Sequence, residues 1–438
     1  MRNSSESLAG AFATGVMDQG LNIVDIGLAS TDMCYFASGH FDFPAAIVTA
    51  SHNPATDSGV KFFDSEGYKS MPEIEDRISS LAWDLADGSR AAPQENSESL
   101  ETIDGLSLYR SALKNRLQVF ESLFNVDFET VDWGSVVPPQ GLILDCSGGA
   151  STEWLADGLR RRGLEASEVS SRLDPINQNC GAGDFSPTAS WSIHELLMEV
   201  PSHRLLWTVA QHLEINDGMA FWEPGQIIAA ALDGDGDRVV MVDENGAIID
   251  GDQLLYVLAS DRKSDSLFQG PVVGTVMSNL GLEHALDRQG IAFKRTSVGD
   301  RYVLEALRES GGTIGGETSG HLICLDKTTT GDGMVAALQI LAVMRRTGKS
   351  LSALTSGMSR YPQTMVNVKT PEPVNPETVP AIQEAVAAVE NELEEQGRVV
   401  LRASGTEPVI RVMVEGKNKE QIEILAKRLA SVVAESAT

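Results

Sequence analysis

The sequence predicts an α/β fold built from several domains. Strand-like apolar runs alternate with amphipathic helical patterns, as where AAIVTA precedes a loop, GLILDCS precedes TEWLADGLRRRG, and PVVGTVMS precedes LGLEHALDRQG. That alternation is typical of repeated α/β units. At 438 residues the chain also exceeds what one hydrophobic core normally organises.

Turn-forming segments divide the chain into five predicted parts. A first α/β domain covers residues 1–108 and a helical connector covers 109–137. A second α/β domain covers 138–250, a third covers 251–361, and an α+β tail covers 362–438. In the tail, AIQEAVAAVENELEEQG is predicted as a helix capped by Gly397, followed by two strands around a loop and a last helix, KEQIEILAKRLASVVAES.

Composition excludes several classes of partner. The formal charge of −28 opposes binding to nucleic acid and to anionic lipid, and no apolar run approaches the length of a membrane helix. The first residues lack a secretion signal and the four cysteines form no CxxC pair, so we expect a cytoplasmic protein without disulfides or zinc. A phosphate ligand would need cations gathered locally at its site.

The first loop with chemical potential is TASHNP, residues 49–54. Ser51 lies directly after an apolar strand, which would hold its hydroxyl on a rigid support. An Asn-Pro turn with a capping serine is the alternative interpretation of the loop alone.

The second loop is DGDGDR, residues 233–238, between two strand-like runs. Asp233, Asp235 and Asp237 alternate with glycines that allow a tight bend, so three carboxylates can converge on one hard cation. Magnesium is favoured if a phosphate oxygen supplies a further ligand. Together with Glu244 these positions also match an EF-hand, although Arg238 and the strand-like flanks oppose that interpretation. A solvated acidic turn is the third alternative.

The third and fourth loops carry groups suited to a sugar phosphate. In GGETSGH, Glu317 and Ser319 can bind hydroxyls from one side and His321 can exchange protons, although a structural histidine is the alternative. In RASGTEPVIR, two arginines, two hydroxyls and a glycine can cradle a phosphate, and the alternative is a simple hairpin. Those residues are Arg402, Ser404, Gly405, Thr406 and Arg411.

Together and in this order, the four loops resemble those of the α-D-phosphohexomutase superfamily. The resemblance covers nearly the whole chain. From Ala231 onward it is most similar to bacterial phosphoglucosamine mutases, through LDGDGDRVVMVDENG, GTVMSNLGLEHAL, VGDRYVLEAL and LRASGTEPVIRVMVEG. The first segment, through VDIGLASTDMCYFASG and TASHNPA, is more similar to bacterial phosphomannomutases.

The resemblance implies three α/β domains with mixed sheets and a C-terminal α+β domain around a central cleft. It implies that Ser51 carries the transferred phosphoryl group and, with the three aspartates, binds Mg²⁺. Lys61 and His321 would assist proton transfer, and Arg238 would support the metal loop. Glu317 and Ser319 would bind sugar hydroxyls, and the RASGTEPVIR loop of the tail would bind the distal phosphate.

The implied activity is transfer of a phosphoryl group between C6 and C1 of a hexose through a bisphosphorylated intermediate, with hexose 1,6-bisphosphate as activator. The leading interpretation is interconversion of glucosamine 6-phosphate and glucosamine 1-phosphate by a monomer or homodimer. The alternatives are a phosphomannomutase or phosphoglucomutase, an inactive sugar-phosphate binder, and a calcium-responsive protein.

The sequence departs from the family pattern in two segments. The family's opening strand, GTDGIRG-like loop and helix have no counterpart in the printed sequence, so we expect an incomplete first domain. The segment between Ala189 and Gly225 is longer than the family's link and carries Trp191, Trp207 and Trp222. It is predicted to be an added helical hairpin or a subunit contact.

Overall fold

The computed structural model describes eleven stretches of the chain, and all structural statements refer to them. They are residues 5–27, 29–50, 57–87, 100–102, 141–145, 166–169, 227–245, 247–263, 268–371, 374–403 and 408–436. The predicted connector at 109–137 and the tryptophan segment at 189–225 lie outside these residues. In the described part, no helix is both long and apolar enough to cross a bilayer.

The N-terminal segment forms two small sheets with three helices. Strand β1 pairs in parallel with β4, and β2 pairs with β3 as an antiparallel hairpin. The elements are α1 (Ser5–Met17), β1 (Ile23–Asp25), α2 (Thr31–Phe41), β2 (Ala45–Val48), β3 (Val60–Phe63), α3 (Pro72–Ala86) and β4 (Leu100–Thr102). The serine loop of the sequence lies between β2 and β3 along the chain.

The second segment forms a mixed five-stranded sheet in the order β6-β5-β7-β8-β9. Strand β5 is parallel to β6 and β7, whereas β8 is antiparallel to both β7 and β9. The strands are β5 (Gly141–Asp145), β6 (Ala166–Val169), β7 (Ile227–Leu232), β8 (Val239–Val242) and β9 (Ile248–Ile249). The turn between the buried strands β7 and β8 is the aspartate loop.

The third segment is an α/β unit with the strand order β11-β10-β12-β13, of which only the β12–β13 pair is antiparallel. Side-chain caps start several of its helices; Asp250, for example, forms a capping box with Gln253. The elements are α4 (Gly251–Arg262), β10 (Val272–Thr275), α5 (Leu280–Asp287), β11 (Phe293–Thr296), α6 (Asp300–Ser310), β12 (Ile314–Gly316), β13 (Leu322–Cys324), α7 (Gly333–Thr347) and α8 (Leu351–Thr355).

One hydrophobic core joins the second and third segments. Ile228 and Met241 from the five-stranded sheet belong to the same buried cluster as Leu254 and Leu258 of α4 and Ile340 of α7. Packing of α7 against β7 and β8, and of α4 against α7, therefore holds the aspartate loop in a fixed relation to the third segment.

The tail is an antiparallel three-stranded sheet, β14-β16-β15, with two helices on one face. Its elements are β14 (Gln363–Lys369), α9 (Pro380–Leu393), β15 (Gly397–Ala403), β16 (Val409–Gly416) and α10 (Lys419–Ser436). The prediction that Gly397 caps the first tail helix is wrong. That helix ends at Leu393, a short 3-10 turn follows, and Gly397 is extended at the start of β15.

Candidate active site

The three aspartates of the DGDGDR turn form a buried carboxylate cluster. Asp233, Asp235 and Asp237 are 1%, 3% and 3% exposed, and their oxygens lie within 4.8 Å of one another. Gly236 has a φ of 76°, a left-handed backbone conformation that residues with a side chain rarely adopt. This conformation allows the tight turn. The turn thus concentrates negative charge at the end of a buried strand pair.

The cluster has the properties of a site for a divalent cation. One buried carboxylate oxygen each of Asp235 and Asp237 has no hydrogen-bond partner in the described part of the chain. Buried acceptors of this kind are costly unless a cation or water binds them. Hard carboxylate oxygens at this spacing suit Mg²⁺ or Ca²⁺.

The EF-hand alternative is wrong, because strands rather than helices flank the loop. The carboxylate of Glu244, which would be the last ligand of such a site, instead accepts a hydrogen bond from the Ser352 hydroxyl.

Lys61 of β3 contributes a cation to the cluster from the N-terminal segment. Its ammonium lies 2.7 Å from Asp235 Oδ2 and 2.5 Å from Asp237 Oδ2. Burial lowers the pKa of Lys61, but the charges of Asp235 and Asp237 outweigh burial and raise that pKa well above its usual value. The lysine is therefore held in its charged form beside the carboxylates.

Arg238 is a second cation at the loop. Its Nε lies 4.0 Å from Asp233 Oδ2 and 3.9 Å from Asp237 Oδ1, and its backbone N–H donates to Asp233. Burial and then the Asp237 charge raise the pKa of Asp233, whereas Lys61 and His321 overcome burial and hold that of Asp237 well below its usual range. Three carboxylates against two cations leave one formal negative charge, which favours binding of a cation.

Two threonines connect the serine loop and α2 to the cluster. The Thr31 and Thr49 hydroxyls donate to Asp235 Oδ2 at 2.8 and 3.2 Å. The Thr31 amide also donates to the Asp235 carbonyl. Ser51 itself lies outside the described residues. Its loop leaves β2 at Thr49 and returns along β3 to Lys61, and both of these ends contact the acidic cluster.

The GGETSGH loop packs against the aspartate loop from the third segment. The Val239 amide donates to the Gly320 carbonyl at 3.0 Å. Gly320 has a φ of 93°, and a Cβ there would lie 2.1 Å from the Val239 carbonyl oxygen. Only glycine permits this close approach between the two loops.

His321 lies between two carboxylates. Its Nδ1 is 3.7 Å from Asp237 Oδ2 and its Nε2 is 3.6 Å from Asp300 Oδ2, distances too long for hydrogen bonds. Asp300, the first residue of α6, accepts from Lys69 Nζ at 2.6 and 2.9 Å. Burial raises the pKa of Asp300, but the Lys69 and His321 charges dominate and lower it below its usual range.

Glu317 and Ser319 line a cavity of about 240 Å³ together with two arginines of the tail. Glu317 is fixed in place because its Oε1 accepts from the Gly299 amide at 3.0 Å. Arg402 and Arg411 are directly opposite each other on β15 and β16. Like charges at opposed positions of a sheet repel each other, so this pair favours an anion. Ser404, Gly405 and Thr406 lie outside the described residues.

Several residues near the site were not predicted from the sequence. They are Thr31, Thr49, Lys69 and Asp300. Asp300 is the first residue of helix α6, within VGDRYVLEAL, and it follows Gly299. A charged residue after a glycine at the start of a helix could have marked it as a candidate. The threonines carried no local signal, because their role depends on contacts more than 180 residues away in the chain.

Comparisons with known proteins give matches along most of the chain. Family models described as phosphoglucomutase/phosphomannomutase α/β/α domain I, α/β/α domain III and C-terminal domain match residues 1–87, 250–361 and 365–432. A phosphoglucosamine mutase from Aeromonas hydrophila is 38% identical over 436 residues, covering 99% of this chain and 88% of the relative. One from Methylococcus capsulatus is 39% identical over 391 residues, covering 89% and 77%.

Solved structures share the fold at lower identity. A phosphoglucomutase/phosphomannomutase family protein from Burkholderia thailandensis has a TM-score of 0.67 at 21% identity, covering 99% of this chain and 87% of its own. The Aspergillus fumigatus N-acetylphosphoglucosamine mutase, solved with GlcNAc-6P and magnesium, has a TM-score of 0.62 at 17% identity, covering 98% and 99%. With the matched domains and the extent of the 38% identity, the chain belongs to the phosphoglucomutase/phosphomannomutase family of the α-D-phosphohexomutase superfamily.

Proposed function

We propose that this protein is a magnesium-dependent isomerase that interconverts glucosamine 6-phosphate and glucosamine 1-phosphate through a phosphorylated Ser51. The relatives named phosphoglucosamine mutase support the substrate. The structural observation that carries the proposal is that both ends of the serine loop, Thr49 and Lys61, contact the buried aspartate cluster. Ser51 follows Thr49 by two residues, so their Cα atoms are at most about 7.6 Å apart.

Asp233, Asp235 and Asp237 would bind the Mg²⁺ ion, with an oxygen of the phosphorylated Ser51 as a further ligand. Unpartnered carboxylate oxygens and the negative formal charge of the cluster support this assignment. When bound, the ion supplies neutralisation of the negative charge on the phosphoryl group. Arg238 holds the aspartate loop in its shape through the Asp233 carboxylate.

The substrate would lie between the third segment and the tail. Glu317 and Ser319 are proposed to bind sugar hydroxyls, because both face the cavity that Arg402 and Arg411 also line. The two arginines, with the Ser404–Gly405–Thr406 stretch, would bind the phosphate that is not being transferred. Planar guanidinium groups match phosphate oxygens in pairs of charge-assisted hydrogen bonds.

Phosphoryl transfer then occurs in two balanced steps. The free C1 or C6 hydroxyl of the sugar attacks the phosphorus on Ser51, the bond from phosphorus to the serine oxygen breaks, the hydroxyl proton leaves to a base, and the serine oxygen takes up a proton. In the second step the Ser51 hydroxyl attacks the phosphorus of the other phosphate and gives its proton to a base. The bond from that phosphorus to the sugar oxygen breaks, and the sugar oxygen takes up a proton. We propose that His321 takes the hydroxyl proton and that Lys61, which is held in its charged form, donates to the oxygen that leaves, because both groups lie beside Oδ2 of Asp237.

Further proposals accompany this function. Hexose 1,6-bisphosphate would phosphorylate Ser51 and so activate the protein, which would act in the cytoplasm as a monomer or homodimer. The proposed parts are residues 1–108, 109–137, 138–250, 251–361 and 362–438. The continuous core across residue 250 implies that the second and third parts unfold together.

The test is turnover of matched substrates with Mg²⁺ and a trace of bisphosphate. Glucosamine 6-phosphate, mannose 6-phosphate and glucose 6-phosphate are each supplied at equal concentration, and the 1-phosphates are quantified. The proposal expects the highest kcat/KM for the amino sugar. Preferred turnover of the mannose or glucose phosphate would make the protein a phosphomannomutase or phosphoglucomutase. Binding without turnover of any of them would identify an inactive sugar-phosphate binder.

A further inference from the structure

One face of the tail sheet carries three successive rows of side chains with different chemistry. In the first row, Arg398, Glu415 and Gln363 are cross-strand neighbours. The next row is apolar and the third contains the arginines assigned to phosphate. The rows, read across β15, β16 and β14, are Arg398, Glu415 and Gln363; Val400, Met413 and Met365; and Arg402, Arg411 and Asn367.

The first row binds the loop between β10 and α5 of the third segment. Arg398 donates from Nε to Glu415 at 2.6 Å, from Nη1 to the Val276 carbonyl at 2.8 Å and from Nη2 to the Ser278 carbonyl at 2.6 Å. Glu415 is fully buried, and its other oxygen accepts from the Leu280 amide at 2.9 Å. Both members of this ion pair therefore bind the 275–280 loop: Arg398 through two backbone carbonyls and Glu415 through the Leu280 amide.

Asp252 links the same loop to the proposed sugar-binding loop. Asp252 of α4 accepts from the Asn279 amide and from the Thr318 hydroxyl, both at 2.8 Å and both on Oδ2. Asp252 has no exposed surface. The 275–280 loop is therefore held on one side by the tail and on the other by Asp252, which also binds Thr318 next to Glu317.

Because a strand has a regular rise, the attachment of the first row also fixes the position of Arg402 and Arg411. Arg402 follows Arg398 by four residues on β15, and a strand rises about 3.4 Å per residue, so the two are about 14 Å apart. Between the two rows, Val400 and Met413 line the cavity opposite Met277 of the bound loop. Fastening the first row therefore sets how far Arg402 and Arg411 lie from Glu317 and Ser319.

We infer that Arg398 is a positioning residue, which sets the separation between the phosphate-binding arginines and the sugar loop by fastening the tail sheet to the 275–280 loop. The inference deepens the proposed function and rests on it for its kinetic consequence. Arg398 touches no substrate in this account. Its loss leaves the buried Glu415 without its cationic partner, and the tail then no longer holds one position over the cavity.

The first test compares Arg398→Met with Arg428→Met. Arg428 forms an exposed ion pair with Glu392 between the two helices of the same tail, so it controls for loss of one arginine. We expect Arg398→Met to raise KM for glucosamine 6-phosphate about 10-fold and to change kcat by less than about 3-fold. Arg398→Lys, which keeps the charge but not the three-way geometry, should give an intermediate KM. Arg428→Met should match the wild-type protein.

The second test needs no activity, so failure of the inference can be distinguished from failure of the proposed function. Amide exchange across residues 276–280 should become at least about 10-fold faster in Arg398→Met, because the Leu280 amide loses its ordered acceptor. Amides of 410–414 in β16 should keep their protection, which reports that the tail is folded. If the methionine variant unfolds, Arg398→Lys provides the same comparison.

An unchanged KM, or unchanged exchange at 276–280 with a folded tail, would overturn the inference. A wild-type protein that fails to turn over glucosamine 6-phosphate would instead contradict the proposed function, and the exchange result would still decide whether Arg398 fastens the two segments.

Discussion

The acidic cluster and the arginine pair of the site hold opposite charges in opposite environments. The three aspartates are at most 3% exposed and have Lys61 and Arg238 as internal partners. Arg402 and Arg411 are exposed, and no ion pair joins either of them to a carboxylate of the described residues. The comparison indicates that the proposed metal side has its counter-charges within the chain, whereas the proposed phosphate side has none among the described residues.

This difference has a physical basis in desolvation. A buried carboxylate is tolerable only with cations or hydrogen-bond donors nearby, so the chain must supply Lys61 and Arg238 itself. Two exposed arginines keep their hydration and need no partner in the chain. Under the proposed function, phosphate would therefore enter and leave the tail side while the aspartate cluster keeps its geometry.

Removing the proposed phosphoryl carrier should have the largest effect. Ser51→Ala should lower kcat by at least about 10⁴-fold, because no covalent intermediate can form. Ser80→Ala is the matched control, since Ser80 is an exposed serine on α3 whose hydroxyl donates only to a backbone carbonyl within its helix. Steady-state assays with glucosamine 6-phosphate measure both. Residual activity of Ser51→Ala within tenfold of the wild type would break the account of the metal side.

The metal side should also lose its ion when one carboxylate is neutralised. Asp235→Asn should weaken Mg²⁺ binding at least about 100-fold, because the ligand set loses a charge and an oxygen. Titration calorimetry with Mg²⁺ measures the affinity directly. Asp243→Asn serves as the control, since Asp243 lies in the next turn and accepts from the Asn245 and Ala247 amides instead. Equal Mg²⁺ affinity in both variants would contradict the assignment.

On the exposed side, Arg411→Met should weaken substrate binding without lowering the stability of the protein. Loss of a charge-assisted hydrogen bond of about 1.5–3 kcal/mol should raise KM about 10- to 100-fold. The free energy of unfolding should stay level or rise by up to about 1 kcal/mol, because the variant no longer has two like charges opposite each other. Kinetics and denaturant titration measure the two quantities. A marked fall in stability would show that the pair is structural instead.

A buried carboxylate behind the sugar loop should make the stability of the protein depend on pH. Burial, and then the Asp250 charge, raise the pKa of Asp252 to about 7. Between the unfolded value near 4 and about 7, the folded protein binds more protons than the unfolded chain, so stability falls as pH rises through that window. The slope is at most about 1.4 kcal/mol per pH unit.

Asp252→Asn lacks the titrating carboxylate, so its stability should not show this fall. The denaturation midpoint of the variant minus that of the wild type should therefore increase from pH 5 to pH 8. Asp84→Asn on the exposed helix α3 is the control and should track the wild type. Parallel pH profiles for wild type and Asp252→Asn would contradict the raised pKa.

The sequence carried more information on the buried side than on the exposed one. Alternating glycines and aspartates predicted the aspartate turn, because a local pattern of this kind has few structural solutions, and the turn does lie between two strands. The α/β class with mixed sheets is also confirmed. The roles assigned to Lys61, His321 and Glu317 stay predictions, although the structure brings all three toward the cluster or the cavity.

Contacts between distant segments could not be predicted in the same way. Thr31 reaches Asp235, and Arg398 reaches Val276, only because separate segments pack together. Nothing in the local pattern around either residue encodes its partner. The prediction that Gly397 caps a helix was wrong for a related reason. Glycine is common after helix ends, but Gly397 pairs with Gly416, a distant residue of the tail sheet.

The account depends on Ser51 and the aspartate cluster acting on the same phosphoryl group. A single-turnover chase tests this most directly: the protein is labelled with ³²P from glucose 1,6-bisphosphate, freed of excess label, and mixed with Mg²⁺ and glucosamine 6-phosphate. The account predicts label on the Ser51 peptide before the chase and on sugar phosphate after it, with the transfer abolished by chelation of Mg²⁺. Label on another residue, or label that stays on the protein, would contradict it.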